Sequence, residues 1–309
     1  MTIDVHYHQL VREFLSEQHW ETVMRFVAED MGKITGQVLT VEQVDKEIAP
    51  TWWDPSGDGT LARMNEAGVA RAVLLAEDTG LLYGEPPIPI AEQHRQIGAI
   101  ARGHPDRFIF CPNIDPRRPD ALALFETCFA EWGAQAFKFY PPTGFNPDDP
   151  ICDPFLERLQ AWGKPLIVHT GAAFGYSECA HPARLERIVR DFPRLTVLAC
   201  HLSTIYWRDL LALGGSYGNL VTDISGFQPT AVGTYGRFCY LLRRFVDEWG
   251  ADRLLWGTDS PEFDHILSMK DWAALIRDLP EKGPEELHFT KEEVQAILHD
   301  NAARVLGIT

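Results

Sequence analysis

The stretch Thr2-Ile3-Asp4-Val5-His6-Tyr7-His8 begins the chain with a short β-branched run that ends in two histidines. In a β-strand, residues two positions apart point to the same face, so the imidazoles of His6 and His8 should lie together. Two histidines on the inner face of a strand have few apolar partners that would account for them. A metal ion accounts for both, because neutral histidine is a good ligand for zinc and similar ions. Histidines that only cap a strand at the surface are the alternative for so short a motif.

Seven further apolar runs follow this first one, and each is bounded by turn residues. They are 72–76, 108–114, 136–140, 166–169, 196–201, 220–224 and 254–259. Helical patterns lie between or after them, at 91–103, 118–132, 153–162, 182–191, 207–213, 234–249, 268–278 and 290–306. Nearly continuous hydrophobicity is typical of parallel strands that are buried on both faces. Eight alternating units predict an α/β fold, a closed (β/α)8 TIM barrel, and no G-x-G-x-x-G sequence follows a strand to favour an open dinucleotide-binding sheet.

One connection departs from this rhythm. About 60 residues, with a long amphipathic helical pattern near 9–30, separate His8 from the second run, which is far longer than a usual strand-to-helix connection. An insertion after a strand lies at the C-terminal mouth of a barrel, where active sites are found. We therefore expect residues 1–309 to form a single barrel domain in which residues 9–60 cap the active site. An insertion that only decorates the structure is the alternative.

The composition limits the partners of the chain. The 309 residues include 28 basic and 44 acidic side chains, which gives a formal net charge of −16. Such a charge disfavours binding to nucleic acid or to an anionic membrane, and no apolar stretch reaches the ~18 residues of a membrane span. The expected partner is a small-molecule substrate, anionic or neutral, and a homo-oligomer is compatible with the sequence. Six cysteines without a C-x-x-C pair, and a first segment that does not resemble a secretory signal, predict reduced thiols in a cytoplasmic protein.

Polar residues end three more of the predicted strands: His169 the fifth, His201 the sixth and Asp259 the eighth. A polar residue at the C-terminal end of a barrel strand is more often catalytic than structural. One such histidine could be a satisfied core residue. Together with His6 and His8, however, these residues predict a metal site at the mouth of the barrel.

Other polar residues lie within the predicted strands. Lys138 is flanked by phenylalanines and, if it points inward, it needs a carboxylate, an anionic substrate, or carboxylation that lets it bridge two metals. A lysine that reaches the surface along its aliphatic chain is the alternative. Tyr140 has the same parity and could face the pocket. Asp4, two residues before His6, and Asp223, in the seventh strand, could each hold a ligand histidine or be structural carboxylates.

Taken together, these motifs resemble the amidohydrolase superfamily, and more closely its branch with aminocarboxymuconate-semialdehyde decarboxylase, aromatic-acid decarboxylases and lactonases. The resemblance covers nearly the whole chain in the right order. It rests on Ile3-Asp4-x-His6-x-His8, Lys138 in FKFYPP, His169 in VHTG, His201 in ACHLS, Asp259 in GTDSP, and the closing segment 301–307.

The resemblance implies roles for these positions. His6, His8 and His169 match metal ligands, and Asp259 matches a carboxylate that binds metal and takes a proton. His201 matches a histidine that polarises the substrate or moves a proton. Lys138 lies where binuclear members carry a carboxylated lysine, but mononuclear members also have a lysine there. The chain departs from some related decarboxylases, which have Glu where it has Asp4.

Two reactions remain open at this point. The first is hydrolysis of a lactone, ester or amide by a metal-activated water, with proton transfer through Asp259 and oxyanion stabilisation by the metal or His201. The alternative is non-oxidative decarboxylation of an aromatic or unsaturated carboxylic acid, which needs a cation for the carboxylate. Zinc is the expected metal, with manganese, iron and cobalt as alternatives. A purely structural metal is disfavoured, because such sites are usually closed and rich in cysteine. Residues left open as carboxylate-binding cations or as an aromatic wall are Arg12, Arg25, Arg63, Trp52, Trp53 and Phe174.

Overall fold

A computed structural model describes residues 1–36 and 38–308. Its eight strands follow the chain in the predicted order, and every ladder between them is parallel. The strands are β1 Thr2–His8, β2 Val69–Leu75, β3 Phe108–Cys111, β4 Phe137–Phe139, β5 Leu166–Val168, β6 Val197–Ala199, β7 Leu220–Asp223 and β8 Leu254–Leu255. Regular ladders group them as β1-β2-β3 and as β4-β5-β6-β7-β8. The α/β fold that the sequence predicts is confirmed.

Backbone hydrogen bonds outside the regular ladders join the two groups of strands. Between β3 and β4, Lys138 N donates to Pro112 O over 2.8 Å. Between β8 and β1, His8 N donates to Ser260 O over 2.7 Å and Asp259 N donates to His6 O over 2.8 Å. The first and last strands are therefore neighbours although they lie at opposite ends of the chain.

Helices connect and surround the strands. They are α1 Glu17–Thr35, α2 Val41–Gln43, α3 Asp58–Ala67, α4 Gly80–Tyr83, α5 Ile90–Gly103, α6 Ala121–Ala130, α7 Asp153–Trp162, α8 Glu186–Asp191, α9 Trp207–Gly214, α10 Gln228–Gly233, α11 Tyr235–Trp249, α12 Met269–Arg277, α13 Leu279–Lys282, α14 Lys291–Gln295 and α15 Asn301–Leu306. Among the described residues, no helix is both long enough and apolar enough to span a membrane. All six cysteines are free thiols.

Strand alternation divides the apolar core into two clusters. On β2, Val73 and Leu75 belong to a cluster inside the ring of strands, whereas Ala72 and Leu74 belong to the larger cluster between strands and helices. This division is what a strand covered on both faces produces. On the last helix, Ala302 also belongs to the inner cluster.

A third apolar cluster belongs to the segment between β1 and α3. Its fully buried members include Val27 of α1 and Val44. The Ser16 side chain accepts a hydrogen bond from His19 N and so caps the N-terminus of α1, and Gly36 ends the helix at φ 70°. The predicted helical pattern near 9–30 thus corresponds to a capped amphipathic helix.

Candidate active site

The first strand does not keep a strict alternation. Asp4 pairs with Ala72 and Tyr7 pairs with Leu74, so the register of β1 against β2 shifts by one residue between them. Such a bulge changes which face the following side chains occupy. Asp4 therefore does not contact the His6 ring. Its carboxylate instead accepts hydrogen bonds from Thr258 Oγ1 over 2.6 Å and from the backbone amides of Thr258 and His6.

The C-terminal ends of β1 and β8 bring three predicted ligands together. The Nε2 atoms of His6 and His8 lie 3.3 Å and 3.1 Å from Oδ1 of Asp259. Asp259 has a left-handed backbone, φ 57°, which turns its side chain back over the end of the barrel. In the predicted eighth strand, 254–259, only Leu254–Leu255 forms a regular ladder, which is with β7, whereas Trp256 and Asp259 make isolated backbone bonds to β1.

Two carboxylates hold the histidine rings from behind. His6 Nδ1 lies 3.0 Å from Asp223 Oδ2, and His8 Nδ1 lies 2.9 Å from Glu77 Oε1. A neutral ring that donates a hydrogen bond from Nδ1 to a carboxylate presents the Nε2 lone pair on the opposite side. Both Nε2 atoms face Asp259, so the two rings are oriented as metal ligands would be. Glu77 was not predicted, although it directly follows the apolar run 72–76.

Burial and charge shift the pKa values of these groups in different directions. Burial and the nearby Lys138 lower the pKa of His6 to about 3, so its ring is neutral at pH 7. Burial alone would raise the pKa of Asp223, but the His6 ring beside it holds that pKa below its usual range. Burial would likewise lower the pKa of His8, yet Glu77 and Asp259 raise it to about 10. Asp223 is thus an ionised acceptor for His6.

His201 reaches the site through an unusual turn. After β6, the residues His201, Leu202 and Ser203 all have positive φ, at 63°, 45° and 56°. The His201 amide donates to Asp223 Oδ1 over 2.8 Å, and its ring Nδ1 lies 2.9 Å from Ser225 Oγ. Left-handed backbone is uncommon for residues other than glycine and often occurs at functional sites.

His169 lies next to His201 and outside the His6–Asp259 cluster. Its Nδ1 is 3.2 Å from His201 Nε2, and its Nε2 is 3.1 Å from the Ala172 carbonyl oxygen. In the described part of the chain, the groups whose ligand atoms all lie within 4.8 Å are His6, His8 and Asp259, and His6, Cys200 and His201. The structure places His169 in the same pocket without bringing it into either group.

The sequence left two orientations open for Lys138, and in the structure its side chain points inward. Its side chain is 2% exposed and points inside the ring of strands, where Nζ lies 3.4 Å from His6 Nε2 and 3.1 Å from Cys200 Sγ. Cys200 lies in the inner apolar cluster with Leu198, two residues earlier, as strand alternation requires. Tyr140 lines the pocket, its ring centroid 4.9 Å from that of His169, and its hydroxyl donates to Phe174 O over 3.3 Å.

A cavity of about 390 Å³ is lined by several of these groups, namely His8, Glu77, Lys138, Tyr140, His169, His201 and Asp259. Its aromatic lining, besides Tyr140, consists of Trp20, Phe26, Trp52, Phe174 and Phe263. Trp53, a predicted wall residue, packs behind Trp20 with ring centroids 4.8 Å apart. No arginine is among the residues that line it, and the three arginines considered from the sequence lie elsewhere. Arg12 pairs with Glu17, Arg63 bonds to the Tyr7 hydroxyl, and Arg25 is exposed.

The donor set of His6, His8 and Asp259 fits a divalent metal ion. Two imidazole nitrogens and a carboxylate oxygen suit zinc, manganese, iron and cobalt alike. The orienting carboxylates Asp223 and Glu77 are a second feature of such sites, since ligand histidines usually give their other N–H to a carboxylate or carbonyl. The described residues therefore contain a group that could hold a metal.

Comparisons with known proteins show the family and the fold. A family model described as amidohydrolase matches residues 3–308. An uncharacterised TIM-barrel protein from Bordetella bronchiseptica shares 20% identity at a TM-score of 0.72, over 99% of this chain and 98% of that one. A 5-carboxyvanillate decarboxylase from Novosphingobium aromaticivorans was solved with manganese and 4-hydroxy-3-methoxy-5-nitrobenzoic acid. It shares 16% sequence identity at a TM-score of 0.70, over 100% of this chain and 96% of that one. A probable 2-pyrone-4,6-dicarboxylic acid hydrolase from Acinetobacter baumannii shares 13% sequence identity at a TM-score of 0.62, over 99% of each chain. No curated protein matches the sequence significantly.

Proposed function

The chain belongs to the amidohydrolase family, and from that premise we propose that it is a metal-dependent hydrolase of a lactone, ester or amide. The observation that carries the proposal is the convergence of His6 Nε2 and His8 Nε2 on Asp259, each ring being backed by a carboxylate. We infer that these three residues hold the metal, with His169 as a further ligand or a substrate contact.

Different residues around this position would act in different steps of hydrolysis. A bound divalent metal lowers the pKa of water and polarises a carbonyl. Asp259 is placed to accept a proton from the attacking water and pass it to the leaving group. His201, which lines the cavity, is placed to stabilise the developing oxyanion. Asp223 fixes both the His6 ring and the His201 amide, so it keeps these two groups at a constant separation.

Lys138 and the first insertion complete the proposed site. The Lys138 ammonium, buried beside His6, would attract the oxygen-bearing end of the substrate, whether that end is a carbonyl or an anion. The cavity is also lined by Trp20 and Phe26 of α1. We therefore propose that residues 9–60 cap the active site and exclude water from it.

Non-oxidative decarboxylation of an aromatic or unsaturated acid is the second candidate. The observation in its favour is Lys138, which has no carboxylate within ion-pair distance among the residues that the structure describes and could bind a substrate carboxylate. Against it, the cavity offers no arginine, and its lining includes Asp30, Glu77 and Glu262. These acids would repel a substrate that carries more than one negative charge.

Metal analysis combined with a substrate screen tests the proposal. The purified protein should contain a divalent metal, and its ring-opening or ester-cleaving activity should disappear with a chelator and return with added metal. Asp259→Asn should lose at least about tenfold in metal affinity while its circular dichroism is unchanged. Asp106→Asn, an exposed substitution with the same change in charge, is the matched control.

The outcomes separate the two candidate reactions. If the protein releases carbon dioxide from aromatic acids and cleaves no lactone or ester, its reaction is decarboxylation and the hydrolase proposal is refuted. Metal binding by Asp259→Asn that equals that of the unmodified protein would refute the ligand assignment for either reaction.

A further inference from the structure

Two segments of the cavity wall each pair a carboxylate with an aromatic ring. On α1, Phe26 and Asp30 are four residues apart and so lie on one face of the helix. After β8, Glu262 directly precedes Phe263. The ring centroids of Phe26 and Phe263 are 6.3 Å apart, so the two segments meet over the cavity.

The carboxylate of Glu262 lacks a partner. In residues 1–36 and 38–308, no hydrogen bond or ion pair involves its side chain, although it is only partly exposed. Burial, together with the charges of Asp259 and Glu77, raises its pKa well above the ordinary value, and Asp30 adds to this effect. Asp30 lies 3.6 Å from Lys33, but that lysine is 68% exposed and such a pair is weak in water.

Aromatic rings complete the surroundings of these acids. Phe26 packs edge-to-face against Phe174 with centroids 4.9 Å apart, and Trp20 and Trp52 line the same cavity. Aromatic rings attract cations through their negative faces, most strongly where water is excluded. Among the residues that the structure describes, Lys138 is the only lysine or arginine that lines the cavity. The cavity therefore joins aromatic walls with Glu262, which pairs with no cation among the described residues, and with Asp30, which pairs only weakly with the exposed Lys33.

We propose that this cavity binds its substrate through a positively charged ammonium group, held by Glu262, Asp30 and the aromatic rings. The reactive carbonyl of the same molecule would then lie at His6, His8 and Asp259, a placement that rests on the proposed hydrolase function. The substrate class is accordingly an ester, lactone or amide that carries an amine or a quaternary ammonium. This assignment sets the chain apart from structural relatives solved with carboxylate ligands.

Binding of two isosteric probes tests the ammonium site directly. Phenyltrimethylammonium and tert-butylbenzene have nearly the same shape, and only the first is charged. Calorimetry or tryptophan fluorescence should show that the charged probe binds at least about tenfold more tightly. Glu262→Gln should remove most of this preference and Asp30→Asn part of it, while the affinity for tert-butylbenzene stays unchanged. Glu29→Gln, an exposed neighbour on α1, is the control and should behave like the unmodified protein.

Equal affinity for the two probes, or an undiminished preference in Glu262→Gln, would overturn the ammonium site. The titrations are made with metal-loaded and with chelator-treated protein, so that they do not depend on turnover. Hydrolysis of neutral esters without any preference for the charged probe defeats this inference alone. A clear preference for that probe in a protein that hydrolyses nothing supports the site and defeats the hydrolase proposal.

Discussion

At the scale of single residues, Glu77 and Asp223 perform the same task for neighbouring histidines. Each places a carboxylate about 3 Å from Nδ1, Asp223 behind His6 and Glu77 behind His8. The two differ in exposure, since Asp223 is completely buried and Glu77 is 19% exposed. Glu77 is therefore the one that can be changed without leaving a cavity in the core.

Glu77→Gln should weaken metal binding by about 10- to 100-fold and leave the fold intact. The glutamine side-chain oxygen can still accept a hydrogen bond from His8 Nδ1, so the ring keeps its orientation. The lost negative charge, however, makes Nε2 a weaker ligand for a metal ion. Competition with a chromophoric chelator measures the dissociation constant. Glu13→Gln, an exposed change of the same kind, should bind metal like the unmodified protein. Unaltered affinity in Glu77→Gln would mean that Glu77 does not support a ligand.

The alternation of side chains between the two faces of a strand predicted some side-chain positions and failed for others. Lys138, between two phenylalanines on a regular strand, points inward as the alternation requires. Asp4 and His201 do not follow the rule, because a register shift follows Asp4 and because His201 itself has a left-handed backbone. Neither irregularity has a glycine or proline beside it to announce it. Glu262 could not be predicted, since its importance depends on which segments meet across the cavity.

At the scale of elements, the insertion after β1 is tied to the barrel mouth by aromatic contacts. Phe26 of α1 touches Phe174, from the loop after β5, and Phe263, from the loop after β8. One ring therefore connects three segments that are distant along the chain. Sequence periodicity predicted the helix, because its apolar face repeats regularly, but not the loops against which that face packs.

Phe26→Ala should raise KM by about 2- to 10-fold and change kcat little, because one aromatic pair contributes about 0.5–1.5 kcal/mol. The ring lines the cavity without reaching the candidate metal ligands, so chemistry should be spared. Steady-state kinetics on a substrate found in the screen measures both parameters. Tyr240→Ala, on α11 and 48% exposed, is the control for loss of an aromatic ring outside the cavity. Unchanged KM in Phe26→Ala would argue that α1 is a structural decoration.

At the scale of the whole molecule, the barrel depends on a contact between its first and last strands. Regular ladders hold three and five strands together, but β8 and β1 are joined by a few bonds only. The Asp4 carboxylate contributes three of the bonds around this junction, to Thr258 N, Thr258 Oγ1 and His6 N. The sequence predicted a closed barrel from the count of eight strands. It did not predict how the closing contact is made, because hydrogen-bond partners 254 residues apart leave no local pattern.

Asp4→Ala should lower the free energy of unfolding by about 2–4 kcal/mol, because it leaves the buried amides of His6 and Thr258 without an acceptor and removes the short bond from the Thr258 hydroxyl. Urea denaturation in the presence of a chelator measures this, since a bound metal would add its own stabilisation to the folded state. Asp106→Ala, exposed, should change stability by less than about 0.5 kcal/mol. Thr258→Val removes the hydroxyl donor, so a double-mutant cycle with Asp4→Ala should show a coupling of about 0.5–3 kcal/mol. Additive effects would mean that the bond between the Thr258 hydroxyl and Asp4 does not stabilise the contact between β8 and β1.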